Sequence, residues 1–114
     1  MSDCIFCKIA NGEIGSLIYE DEFVAAFDDI DPKAPTHSLV IPKKHIERIS
    51  DVESDEDAML VGRMIMAANK IAKDKGIAED GYRLIINCNE GAGQSVWHIH
   101  VHILGGRKMT WPPG

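Results

Sequence analysis

Val96-Trp97-His98-Ile99-His100-Val101-His102-Ile103-Leu104 alternates histidine with aliphatic residues. Successive side chains of a strand point to opposite faces. The pattern therefore predicts a strand over Ser95–Leu104, with His98, His100 and His102 on one face. Ile99, Val101 and Ile103 fall on the other face, suited to packing beneath a helix. Gly105-Gly106 closes the strand, and the Gly-rich stretch Asn89–Gln94 precedes it as a loop.

The helix to cover that apolar face is legible upstream. Ser54, with Asp57 three residues on, opens a capping pattern. Leu60, Val61, Met64, Ile65, Ala68, Ile71 and Ala72 then recur at helical spacing up to about Lys75, where Gly76 stops the helix. Leu17–Tyr19 and Phe23–Phe27 read as strands joined by the turn Glu20-Asp21-Glu22. Ser38–Ile41 reads as a strand stopped by Pro42, and Tyr82–Asn87 as another. A short helix through Ile9, capped by Asp3 and ended by Asn11-Gly12, shows Ile5, Phe6 and Ile9 on its apolar side. Hairpin-like strands with one long and one short helix predict an α+β fold on a mainly antiparallel five-stranded sheet.

The chain has 114 residues, is 45% hydrophobic and carries a net charge of -6. Length and composition fit one domain, residues 1–114, with a packed core. The acidic balance opposes general nucleic-acid binding, which needs a basic face, but not binding of a single nucleotide. No apolar run is long enough for a membrane span. Met1-Ser2-Asp3-Cys4 does not read as the start of a secretory leader. Three cysteines, Cys4, Cys7 and Cys88, are too sparse for a disulfide framework. These features predict a cytoplasmic protein.

Three imidazoles on one face demand an explanation, because buried polar groups without partners are costly. A solvated face with chance histidines fits poorly, since three of the five histidines fall at strict alternation. A zinc site built from all three would call for a nearby carboxylate or base, and the sequence makes none obvious. A third reading is nucleophilic catalysis: neutral imidazole attacks well at physiological pH, and a neighbouring histidine, if cationic, would stabilise phosphoryl charge. The glycines of Glu90–Ser95 would let backbone amides approach phosphate oxygens.

His98-Ile99-His100-Val101-His102-Ile103-Leu104 resembles the signature of the histidine triad family. Gly93–Trp97, the tail Gly105–Gly114 and the segment Ala34–His45 are similar to its Hint branch, the purine nucleoside phosphoramidases. The resemblance covers nearly the whole chain. It implies a nucleotide hydrolase in which His100 attacks the α-phosphorus and carries a nucleotidyl group, which water then releases. It implies that His102 contacts the phosphate, that Ser95 assists departure of an amine, and that His98 and His37 support the network. Asn87 and the backbone of Gly93, Gln94 and Ser95 would hold phosphate. Asp29 would bind the ribose hydroxyls, and Ile5, Phe6, Ile9, Phe27, Ile30 and Leu39 would form the base pocket. A homodimer using the Tyr82–Asn87 strand and the long helix is implied as well. No cofactor is expected for catalysis. Two alternatives stay open: an asymmetric dinucleoside polyphosphate hydrolase, and a non-catalytic nucleotide-binding or scaffold protein.

Cys4 and Cys7 form a Cys-x-x-Cys pair that alone fits a buried core pair, a redox pair or half a zinc site. The sequence offers His45 and His98 as the further ligands. Similarity to some bacterial family members implies a structural zinc on Cys4, Cys7, His45 and His98.

Overall fold

The structure is a computed structural model that describes residues 3–114. Met1 and Ser2, where the reading of a missing leader begins, lie outside the described residues. The elements run α1 (Ile5–Ala10), β1 (Tyr19–Glu20), β2 (Val24–Asp28), β3 (Thr36–Pro42), α2 (Asp55–Asp74), β4 (Tyr82–Ile85) and β5 (Val101–Gly105). The five strands form one sheet in the order β1-β2-β3-β5-β4, and every neighbouring pair is antiparallel.

Alternation splits the sheet into two differently used faces. Val24, Ala26, Val40, Val101 and Ile103 pack under α2 with Leu60, Met64, Ala67, Ala68, Ile71 and Ala72. Ala25, Leu39 and Ile41 face α1, where they meet Phe6 and Ala10. The long helix begins as expected, with the Ser54 hydroxyl accepting the Asp57 amide at 3.1 Å. Ala67 belongs to its buried stripe, although alanine's small side chain gave no sign of it. Gly76 follows the helix at φ 76°, a conformation glycine adopts without steric cost.

Several boundaries differ from the sequence reading. β2 is shifted by one residue to Val24–Asp28, and β3 extends over Thr36–Pro42, taking in the proline read as its stop. The last strand starts at Val101, not Ser95. His98–His100 lie ahead of the ladder, held instead by the Ile99 amide, which donates to the Ile46 carbonyl at 2.8 Å. The first strand starts at Tyr19, and β4 ends at Ile85, short of Asn87. Cys4, not Asp3, caps α1: its sulfur accepts the Cys7 amide at 3.3 Å. A sulfur acceptor replaces the usual oxygen there, and propensity rules for caps are built on oxygen.

Candidate active site

The predicted common face of the histidines survives the loss of ladder pairing. His98 and His100 both reach the α1 side. There the Phe6 ring meets His100 edge-on at a centroid distance of 5.0 Å and His98 at 6.0 Å. His102, in β5 opposite Leu39, stands 4.9 Å from His100 between ring centroids.

His100 is buried, and its Nδ1 lies 2.8 Å from the His98 carbonyl oxygen. A carbonyl only accepts, so Nδ1 carries the proton and Nε2 keeps its lone pair. Burial holds the His100 pKa below the usual histidine value, with the His98 carbonyl and Asp29 pulling partly back. The ring is therefore neutral at physiological pH and nucleophilic at Nε2.

A second chain of bonds orients His102. The Lys33 amide donates to His37 Nδ1 at 3.0 Å, so the proton of His37 sits on Nε2. That nitrogen lies 3.0 Å from His102 Nδ1 and donates to it. His102 must then carry its own proton on Nε2. Burial, with His100 and His37 adding, brings its pKa down to about 4. The sequence reading allowed for a cationic neighbour here. The structure has a neutral N–H donor instead, because desolvation and the adjacent rings disfavour a charge.

Asp29 completes the cluster, with Oδ2 3.4 Å from His37 Nε2. The carboxylate not obvious beside the histidines in sequence comes from the end of β2. The grouping Asp29, His37 and His102 is not a metal cradle, since His37 Nε2 is protonated by the logic above.

Beside these groups is a cavity of about 450 Å³ lined by Ile5, Phe6, Ile9, Phe27, Ile30 and Leu39 on its apolar side. Asp29, Ser95, His100 and His102 supply its polar side. That is the size and make-up of a small-molecule site. Gly15, Ser16, Asp28 and Val96 also line it. Gly15, Ser16 and Asp28 belong to no motif, and only their position in the fold brings them there; Val96 lies in the stretch Gly93–Trp97, where the sequence reading gives it no role in the site. His37 and His98 stand behind the cavity as supports. Asn87, Gly93 and Gln94 do not line it. The Gly93 amide donates to the Glu90 carbonyl at 2.9 Å and the Gln94 amide to the Asn89 carbonyl at 3.1 Å. Two of the three amides expected to hold phosphate are thus occupied in the turn, a tightening that the glycine pattern does not reveal; of the three residues, Ser95 alone lines the cavity.

The four candidate metal ligands converge on the far side of His98. His45 Nδ1 and His98 Nδ1 are 3.2 Å apart; Cys7 Sγ lies 3.3 Å from His45 Nδ1 and 3.5 Å from His98 Nδ1; Cys4 Sγ lies 3.4 Å from His98 Nδ1. All four ligating atoms fall within 4.8 Å of one another. Tetrahedral zinc with nitrogen and sulfur ligands has ligand–ligand edges of about 3.3–3.8 Å, given ordinary bond lengths. His98 Nε2 donates to the Pro42 carbonyl at 2.8 Å, which turns the lone pair of Nδ1 toward the cysteines. Burial lowers the His98 pKa to about 4, keeping the ring in its ligating form. The donor set fits zinc, including its outer hydrogen bond.

The HIT domain family model matches residues 12–109. Over 108 residues the chain is 53% identical to the purine nucleoside phosphoramidase of Escherichia coli strain K12, covering 94% of this chain and 90% of that protein. A HIT family hydrolase structure from Legionella pneumophila superimposes with a TM-score of 0.93 at 55% identity, covering 98% of this chain and all of that one. A HIT family hydrolase from Clostridium thermocellum gives 0.92 at 48% identity over 96% of each chain.

Proposed function

The chain belongs to the HIT domain family, and from that premise we propose that it hydrolyses purine nucleoside phosphoramidates, releasing the nucleoside monophosphate and an amine. The observation that carries this reading is the His100 Nδ1–H bond to the His98 carbonyl at 2.8 Å. It leaves the Nε2 lone pair on a cavity shared with Asp29, Ser95 and His102.

In the reaction, His100 Nε2 attacks the α-phosphorus and forms an N–P bond as the bond from phosphorus to the amine breaks. The departing amine takes the Ser95 hydroxyl proton. Water then adds to phosphorus. Its hydroxyl goes to the monophosphate, its remaining hydrogen returns to Ser95, and the Nε2–P bond breaks. His102 donates its Nε2–H to a phosphoryl oxygen throughout, stabilising charge without having to lose a proton. Asp29 accepts from the ribose hydroxyls, and Phe6, Ile9, Phe27 and Leu39 enclose the base. The whole chain, 1–114, works as one domain, and catalysis needs no cofactor.

Zinc on Cys4, Cys7, His45 and His98 would have no open position for substrate; when bound it supplies a structural cross-link between α1 and the histidine run. The protein works in the cytoplasm as a homodimer. Among the described residues, no helix is long and apolar enough to cross a membrane. The edge position of β4 and the exposed Trp111, which lies beside Arg83, Leu84 and Ile85 of that strand, support a partner copy at that end of the sheet. Sedimentation showing only monomer in the active enzyme would exclude the dimer.

The deciding experiment is rapid acid-free quenching of a reaction with adenosine 5′-phosphoramidate, followed by mass spectrometry. A nucleotidyl adduct on His100 is expected. Turnover with an adduct elsewhere, or no turnover of any nucleoside phosphoramidate, would overturn the reading.

A further inference from the structure

Gln94 is one of the few polar side chains buried by the fold, at 4% exposure, and its amide bonds at both ends. Nε2 donates to the Glu47 carbonyl at 2.7 Å and to the Val96 carbonyl at 3.1 Å, while Oε1 accepts the Asn89 amide at 2.8 Å. The backbone reciprocates, since the Gln94 amide donates to the Asn89 carbonyl. Asn89 sits at φ 71° and ψ 170°, a region that non-glycine residues occupy only when their surroundings impose it. The ring of bonds with Gln94 is that imposition.

The acceptors of Nε2 say what the ring holds in place. Val96 directly follows Ser95. Glu47 directly follows Ile46, whose carbonyl takes the Ile99 amide at 2.8 Å. One buried amide thus ties the two sides of Ser95 to the segment that anchors the histidine run. Ser95 itself is exposed and lines the cavity beside His100. We propose that Gln94 is a positioning residue, which sets the Ser95 hydroxyl against the leaving group without touching substrate. This rests on the reading of Ser95 as proton donor to the amine.

The test compares two substrates: a phosphoramidate with an alkylamine leaving group, and the p-nitrophenyl ester of the same nucleotide, whose leaving group needs no proton. Gln94→Met keeps the volume and removes all three bonds; Gln94→Glu keeps the acceptor for Asn89 and removes both donations. A displacement of Ser95 by a fraction of an ångström to one ångström should cut kcat on the amine substrate by about tenfold to a hundredfold in both variants. KM should change little, and the ester should be much less affected. Gln94→Met combined with Ser95→Ala should be no slower than Ser95→Ala alone. Equal losses on both substrates, wild-type rates, or independent multiplication with Ser95→Ala would overturn the positioning role. Should Ser95→Ala itself fail to distinguish the substrates, the fault lies with the reading of Ser95. If Gln94→Met does not fold, the same comparisons on Gln94→Glu decide the matter.

Discussion

His37 Nε2 stands 3.0 Å from His102 Nδ1, and the direction of the proton between them is set one bond further back, at the Lys33 amide. An amide can only donate, so the tautomers of both rings follow from a backbone group in the loop before β3. His37 therefore acts on phosphate at one remove.

His37→Ala frees His102 Nδ1 to take the proton, so that the lone pair of Nε2 would oppose the phosphoryl oxygens. We expect kcat to fall by about tenfold to a hundredfold, the usual effect of losing a group that orients a catalytic ring, with nucleotide binding largely kept. Wild-type kcat in this variant would show that the relay does not orient His102.

His100→Ala removes the nucleophile and leaves the apolar wall of the cavity intact. A loss of about a thousandfold or more in kcat is expected, with binding of the monophosphate product retained. Calorimetric titration with the monophosphate checks the second half. Near-normal turnover would remove His100 from its role.

The sheet was legible because Phe23–Phe27 and Ser38–Ile41 are short apolar runs bounded by turn residues, as strands buried on both faces are, while alternation marked the histidine strand. The cavity wall was legible only through resemblance: Ile5, Phe6 and Ile9 look like ordinary core residues on a short helix. Asp29 could not be singled out from Asp28 and Asp31 by sequence. Asp28 instead accepts from Ser38 and Lys75, a difference created by the register of β2 on β3. The Lys33 amide and the Gln94 ring were beyond reach, since backbone donors carry no sequence signature. Ser95–His100 was misread as ladder because alternation reports which side each residue faces, not its hydrogen-bonding partner, and the chain bends at Val96–His98 before the strand begins.

The depressed pKa of His102 links its tautomer to stability. Unfolded, the ring titrates near 6.5; folded, near 4. Between those values the unfolded state binds the extra proton, so its contribution to stability is intact above pH 6.5 and is lost as pH falls toward 4. The melting temperature of the wild type should therefore drop more steeply across this window than that of His102→Asn, which cannot titrate. Parallel profiles for the two proteins would contradict the burial of a neutral His102.

The last expectation concerns the cysteines. Cys4 Sγ caps α1, and with Cys7 Sγ it faces His98 Nδ1 at 3.4 and 3.5 Å, so a metal there would join the first helix to the residue whose carbonyl holds the nucleophile. Zinc binds thiolate, so its affinity draws on deprotonation of both cysteines and on a cradle formed only in the folded chain. Its binding free energy then adds to folding. Protein grown with zinc and purified without chelator should contain about one zinc per chain. Stripping it should lower the melting temperature and restoring zinc should raise it, while Cys7→Ser should bind poorly and show a smaller response. The His100 tautomer should persist without metal, because the His98 carbonyl is backbone, but with a looser hold; metal-free enzyme is thus expected to lose stability before it loses nucleotide binding. Metal-free protein whose melting temperature ignores added zinc would return Cys4 and Cys7 to the role of a helix cap and its neighbour.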